Sequence, residues 1–203
     1  MKFNKIVLAT LNEGKVREFQ DCFADMDISF IPQSLFTEVS VAETGLSFIE
    51  NAIIKARFAA EQSHLPALAD DSGLCVPALA GEPGIYSARY AETSDINLNS
   101  SQNNINKLLY KLKDVPDDER QASFHCVLAF VRNAKDPLPL IAQGHWHGRI
   151  LRKNQGIQGF GYDPVFQPDA YDCSAAELKP SEKNRISHRA QAIKKLLAQL
   201  MQL

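Results

Sequence analysis

The stretch LPALADDSGLCVPALAG, Leu65 to Gly81, sets two adjacent carboxylates, Asp70 and Asp71, at the end of an apolar run. Like charges side by side repel, so solvent, a cation or a shared proton must make the pair tolerable. LPALA has the length of a short buried strand, and neighbours on a regular strand point to opposite faces. If the strand is regular, Asp70 and Asp71 cannot both meet one ligand. One would face a site while the other caps or hydrogen-bonds nearby, with the Ser72 hydroxyl and the Gly73 backbone alongside. The competing explanation is purely structural, an Asx-turn that ends the strand.

Working outward, FNKIVLAT (Phe3 to Thr10) reads as a strand. NEGKVREFQDCFADM then places Val16, Phe19, Phe23 and Met26 at helical spacing. Residues 28–41 look extended. Ser47 and Glu50 make a capping box ahead of a helix whose expected apolar stripe is Ile49, Ile53, Ala56 and Ala60. GEPGIYSARYA is too rich in Gly and Pro for regular structure, and residues 97–113 read as a helix. QASFHCVLAFVR and LPLIAQGHWHGRI read as an antiparallel pair, and GIQGFGYDPVF as a glycine-rich loop entering a short strand. SHRAQAIKKLLAQLMQL is a last helix with Ile193, Leu196, Leu197 and Leu200 on one side. No repeat, low-complexity tract or linker interrupts residues 1–203. The expectation is an α/β chain, one domain with two lobes and its site in the cleft between them.

With 203 residues the chain can bury a sizeable core. A net charge of −2 excludes a broad basic face for duplex nucleic acid, so the expected partner is a small ligand. The N-terminal apolar run is too short for a signal peptide or a membrane span. Cys22, Cys75, Cys126 and Cys173 are far apart and form no C-x-x-C pair, which points to reduced thiols and a cytoplasmic location.

Four segments carry polar residues where regular structure gives way to loop. ATLNEGK is a strand–turn–helix with Thr10, Asn12 and Lys15, and a helix N-terminus beside a lysine suits a phosphate. It lacks the first glycine and the Ser or Thr of a Walker A loop, and taken alone it reads more simply as a capped surface helix. The aspartate pair is the second segment. In AETGLSFIENAIIKA, capping accounts for Glu50 but not for Glu43, which precedes the cap. In the fourth, GFGYDPVF with EKNRISHRA, Ser187 as N-cap puts His188 and Arg189 in a first helical turn. Basic residues are disfavoured there unless an anion neutralises them. Lys15, Lys183 and Arg189 thus compose an anion site beside carboxylates suited to Mg²⁺, which takes carboxylates, phosphate oxygens and water. The chemistry indicated is metal-assisted phosphoryl transfer. Among the remaining features, His145 and His147 of HWH read more simply as surface residues than as metal ligands. Trp146 reads as a dimer contact, and Asp114 to Arg120 as a solvated loop.

LATLNEGKVREF, ETGLSFIENAIIKA, ADDSGL, GEPGIYSARYA, GFGYDPVF and EKNRISHRAQAI occur in the order seen in the Ham1/RdgB-like family, the inosine triphosphate or dITP/XTP pyrophosphatases. The similarity runs from about Lys5 to Leu197. The resemblance implies Mg²⁺-dependent conversion of ITP, dITP and XTP to monophosphate and pyrophosphate by a homodimer. It also implies a long mixed β-sheet flanked by helices in two lobes. By motif position, Thr10, Leu11, Asn12, Glu13, Gly14 and Lys15 resemble the triphosphate-binding turn, although many members carry glycine where this chain has Leu11. Asp71 resembles the general base and metal-linked carboxylate, Lys15 its catalytic cation and Glu43 a metal partner. Ser72, Phe160, Gly161, Tyr162, Asp163, Lys183, His188 and Arg189 resemble the substrate-binding set. Two alternatives remain: a pyrophosphatase for modified pyrimidine triphosphates, opposed by GFGYD and SHR, and a nucleotide-binding module without turnover, opposed by Asp71, Glu43 and Lys15.

Overall fold

The computed structural model describes residues 3–10, 16, 19, 23, 28–91 and 101–202. The strands are β1 (Lys5–Ala9), β2 (Ser29–Pro32), β3 (Ala67–Cys75), β4 (Gln121–Val131), β5 (Leu140–Ile150) and β6 (Phe166–Pro168). The helices with both ends described are α1 (Phe48–Ser63), α2 (Ser101–Lys111), α3 (Pro180–Ile186) and α4 (His188–Leu200). The strands form one sheet in the order β2-β1-β3-β4-β5-β6. β1 is parallel to β2 and β3, whereas β5 and β6 are antiparallel, so the sheet is mixed as the α/β expectation required. The Ile150 N–H donates to the Arg120 carbonyl, and the His125 ring meets the His145 ring. As β4 advances by five residues β5 falls back by five, so this pair is antiparallel.

The chain divides into two compact units whose boundaries fall within β3, β4 and β5. The first comprises Met1–Asp71, Cys126–Gly144 and His188–Leu203, and the second Ser72–His125 and His145–Ser187. In the first unit the strands bury both faces, and their alternation sorts the core into two layers. Ile6, Leu8, Leu68, Cys126, Leu128 and Phe130 pack with Phe19, Phe23 and the apolar side of α4, which is Ala192, Ile193, Leu196 and Leu200. Val7, Ala9, Ala67, Ala69, Val127, Ala129 and Val131 pack with α1. Phe19 and Phe23 thus lie in the core as their spacing predicts, while Met26 falls outside the described residues.

Three sequence expectations need correction here. The stripe of α1 is Ala52, Ala56, Ala59 and Ala60 with Asn51; Ile53 is only partly buried, and Ile49 is 37% exposed. Methyl side chains let the helix backbone approach a sheet face that is itself mostly alanine and valine, and the bulkier isoleucines are displaced to its flank. Residues 28–41 are extended only over β2. A 3-10 turn at Gln33–Leu35 follows, and the Gln33 amide donates to the Val39 carbonyl. Lastly, β3 does not stop at the aspartates and forms no Asx-turn there, but continues through them to Cys75.

In the second unit Leu74, Phe124, Trp146, Tyr162 and Phe166 share a core. Trp146 is 6% exposed and lies against Phe124 and Phe166, so it is a core residue of this unit and not the dimer contact expected from the enrichment of Trp at interfaces. The Asp114 to Arg120 segment includes a 3-10 turn, Asp117–Glu119, but ends on a buried cation. Arg120 donates from Nε, Nη1 and Nη2 to the Ile150, Leu112 and Leu151 carbonyls. These bonds explain why a guanidinium is tolerated inside. Cys75, Cys126 and Cys173 are free thiols.

Gly144 fixes how closely α4 sits on β5 within the first unit. A Cβ there would lie 1.9 Å from the His188 carbonyl oxygen and 2.8 Å from the Ala192 nitrogen, both helix backbone atoms. Neither can move without displacing α4. Gly144→Ala should therefore lower the unfolding free energy by about 3 kcal/mol, the upper end of the usual overpacking cost, as read from urea denaturation. An unchanged midpoint would contradict this packing.

Candidate active site

β1 and β3 run parallel with Ala9 opposite Ala69, so Thr10 leaves β1 at the level of Asp70. Open α/β sheets hold ligands at the carboxyl ends of such strands. The alternation of β3 then separates its aspartates. Asp70 shares the parity of Leu68 and faces α4, whereas Asp71 shares the parity of Ala67 and Ala69 and faces α1.

On the α1 side, Lys55 Nζ donates to Asp71 Oδ1 at 2.5 Å and to Glu43 Oε1 at 2.9 Å. Two carboxylates thus converge on one cation. Burial opposes the Lys55 charge, but Asp71 and then Glu43 outweigh it and hold the ammonium's pKa above its ordinary 10.5. The loop carrying Glu43 is tied to the head of α1. The Gly45 N–H donates to Asn51 Oδ1, and Glu50 Oε2 accepts from the Leu46 N–H and the Ser47 hydroxyl. The Glu50 N–H returns a bond to Ser47 Oγ, so Ser47 and Glu50 form the expected capping box. A Cβ on Gly45 would lie 2.5 Å from the Glu50 Cβ, a contact only glycine avoids.

On the α4 side, Arg189 Nε donates to Asp70 Oδ2 at 2.8 Å, and the Cys126 thiol donates to the same oxygen. Both charged groups are buried. The anion that the early position of Arg189 in its helix demanded is thus supplied within the fold, by Asp70. His188, beside it, is buried too.

In the second unit, Asp163 Oδ2 accepts from the Phe160 N–H and from Lys183 Nζ, at 2.8 and 2.7 Å. The Lys183 ammonium lies 4.8 Å from the centre of the half-buried Phe160 ring, within cation–π range. Gly159, at φ +75°, leaves room for this carboxylate, since a Cβ there would come within 2.1 Å of Oδ2. Gly161 also has positive φ. Tyr162 is buried and donates to the Ser87 carbonyl, and burial, then Tyr90, pushes its phenol pKa up. Ser72 is half-buried on β3.

The structure therefore brings Glu43 and Asp71 together, and separately Phe160, Asp163 and Lys183. Leu11, Asn12, Glu13, Gly14 and Lys15 lie outside the described residues. The residue missing from the expected site set is Lys55. It precedes the buried Ala56, and a lysine is seldom buried without a partner, which is the signal that could have found it.

The model of the Ham1 family matches residues 6–199. The chain belongs to the Ham1 family. It is 53% identical over 196 residues to the dITP/XTP pyrophosphatase of Vibrio parahaemolyticus serotype O3:K6, covering 97% of this chain and 96% of the relative. With the dITP/XTP pyrophosphatase of Shigella flexneri the identity is 54%, covering 95% and 96%. Among solved structures, a HAM1 protein from Coxiella burnetii superposes with a TM-score of 0.89 at 48% identity, covering 98% of this chain and 99% of that one. The Staphylococcus aureus Ham1 protein gives 0.83 at 40% identity, covering 97% and 98%.

In this Ham1-family chain, Lys55→Met leaves two carboxylates facing each other. The variant should lose about 1–3 kcal/mol of stability at neutral pH, the cost of stranding a partly buried acceptor. A raised folded pKa means that the lysine's contribution is complete below 10.5 and fades only as pH climbs through the folded value. The difference between wild type and variant should therefore hold from neutral pH to about pH 10 and shrink above it. Denaturation at several pH values checks this, and equal stability at pH 7 would contradict the pairing.

Proposed function

We infer that this protein is a nucleoside-triphosphate pyrophosphatase that hydrolyses the non-canonical purine nucleotides ITP, dITP and XTP to the monophosphate and pyrophosphate. Its relatives named dITP/XTP pyrophosphatase match over nearly their whole length, which supports the activity. The observation that carries the chemistry is the pair Asp71 and Glu43, two carboxylates converging on one cationic atom at the carboxyl end of parallel strands.

The donor set fits Mg²⁺. Asp71 and Glu43 offer hard oxygen ligands aimed at one position, now taken by the Lys55 ammonium. Among the described residues no cluster of three or more His, Cys, Asp or Glu is arranged to hold a metal. Two carboxylates with water and phosphate oxygens completing the shell is the mode magnesium favours. When bound, the ion would neutralise phosphate charge and polarise the anhydride.

In the proposed reaction, water attacks the α-phosphorus in line with the departing pyrophosphate. The bond from phosphorus to the pyrophosphate oxygen breaks as the new P–O bond forms, and the water's proton passes to Asp71. Lys55 orients Asp71 and, because its pKa is raised, stays cationic throughout the neutral range beside the anionic substrate. Thr10 to Lys15 are assigned to triphosphate binding by the family resemblance, with Lys15 adding charge stabilisation at the leaving group. Ser72, His188 and Arg189 belong to the substrate-binding set, and Asp70 fixes the Arg189 guanidinium.

Base recognition is assigned to Phe160, Gly161, Tyr162, Asp163 and Lys183. Hypoxanthine and xanthine present a 6-keto acceptor where adenine has an amino donor, and such a mismatch can discriminate by about 10⁴-fold. The Phe160 N–H is already committed to Asp163, so donation to the base falls to other groups of this set. The same family resemblance supports a homodimer, and the widely spaced cysteines support a cytoplasmic location. Among the described residues no helix is long and apolar enough to cross a membrane.

Pyrophosphate release from ITP, XTP, GTP, ATP and dTTP, with Mg²⁺ or with EDTA, tests the assignment. The expected outcome is Mg²⁺-dependent turnover of ITP and XTP far above the others. Turnover favouring dTTP, or none at all, would overturn it.

A further inference from the structure

The solvent-facing side of the β4–β5 ladder in the second unit carries a group of side chains that the pyrophosphatase chemistry does not use. The register fixed by Arg120 and Ile150 sets Ser123 opposite His147 and His125 opposite His145. All four alternate with Phe124 and Trp146, which turn inward to the core. The two outward histidines of β5 are exposed, and His125 is half-buried.

His125 Nδ1 lies 2.9 Å from His145 Nδ1, with the ring centres 4.8 Å apart and the planes at 70°. Two imidazole nitrogens each about 2.1 Å from one metal ion stand about 3.0 Å apart at the right angle of octahedral or square-planar coordination, against about 3.4 Å at the tetrahedral angle of zinc. The observed separation therefore matches a two-nitrogen chelate as closely as it matches a hydrogen bond. The ring of His125 is also held from behind. Its Nε2 is 2.7 Å from Ser123 Oγ, and a proton carried on Nε2 and donated to Ser123 leaves the Nδ1 lone pair directed at His145. Orientation of a ligating imidazole through its other nitrogen is the usual outer support of a metal site.

We propose that His125 and His145 form a two-nitrogen surface site for a borderline divalent metal ion that accepts imidazoles at right angles, such as Ni²⁺, separate from the carboxylate pair of Asp71 and Glu43. Imidazole nitrogen selects these ions over Mg²⁺, which takes oxygen. Water fills the positions that the histidines leave.

The chain has one tryptophan, Trp146, next to His145 in sequence, so a bound paramagnetic ion should quench its fluorescence. The experiment is a Ni²⁺ titration of the untagged full-length protein, with Mg²⁺ present in excess to occupy oxygen sites, followed by Trp146 emission and by calorimetry. One Ni²⁺ per chain is expected, with saturable quenching. His125→Ala and His145→Ala should each weaken binding at least tenfold, and His64→Ala not at all. The exposed His145→Ser variant guards against misfolding, because it should lose Ni²⁺ while keeping the wild-type melting temperature and pyrophosphate release. Unchanged Ni²⁺ affinity in both the His125 and His145 variants, or no saturable quenching of the wild type, would overturn the proposal.

Discussion

The buried ion pair between Asp70 and Arg189 is the constraint on which the arrangement of the first unit turns. Both groups are almost wholly withdrawn from water, so each is tolerable only while it has the other. Removing one partner of such a pair typically costs about 3–5 kcal/mol, because the survivor remains buried and charged. The bond joins β3 to the first turn of α4 at a fixed point. Since β3 alternates strictly, fixing Asp70 toward α4 also fixes Asp71 toward α1, where Lys55 and Glu43 meet it. A one-residue slip of the strand would move one aspartate into the other's place and leave either Lys55 or Arg189 without its strand carboxylate.

Close packing of small residues makes that fixed point usable. Alanines on α1 and on the facing strands bring Lys55 near the sheet, and Gly144 lets the backbone at His188 rest directly on β5. Gly45 likewise lets the Glu43 loop lie against the head of α1. In the second unit a parallel device operates. Gly159 admits the Asp163 carboxylate, which in turn holds the Phe160 backbone and Lys183. In both units a buried carboxylate and cation set the geometry, and a glycine supplies the room.

Much of this was legible in the sequence. The residue pattern places β1, β4, β5 and the last helix, the capping box marks the start of α1, and the parity of a regular strand requires the two aspartates to part company. What escaped was non-local. That β3 continues through Asp71 depends on partners supplied by α1 and α4, which relieve the repulsion a lone Asp-Asp pair would suffer. That Arg120 is buried depends on three carbonyls from distant segments. The alanine face of α1 was missed because hydropathy weights isoleucine above alanine, whereas the approach to a small-residue sheet favours alanine. The basic first turn of α4 was rightly seen to need an anion, but sequence spacing could not reveal that Asp70, 119 residues away, provides one.

The central claim is that consecutive aspartates on one strand do different work, Asp70 holding the fold and Asp71 acting on substrate. The most direct test measures Asp70→Asn and Asp71→Asn side by side for unfolding free energy and for pyrophosphate release from ITP. The account predicts that Asp70→Asn loses about 3–5 kcal/mol of stability. Asp71→Asn should lose far less, but its turnover should fall about 10²–10⁴-fold with nucleotide still bound. Full turnover in Asp71→Asn, or undiminished stability in Asp70→Asn, would contradict it.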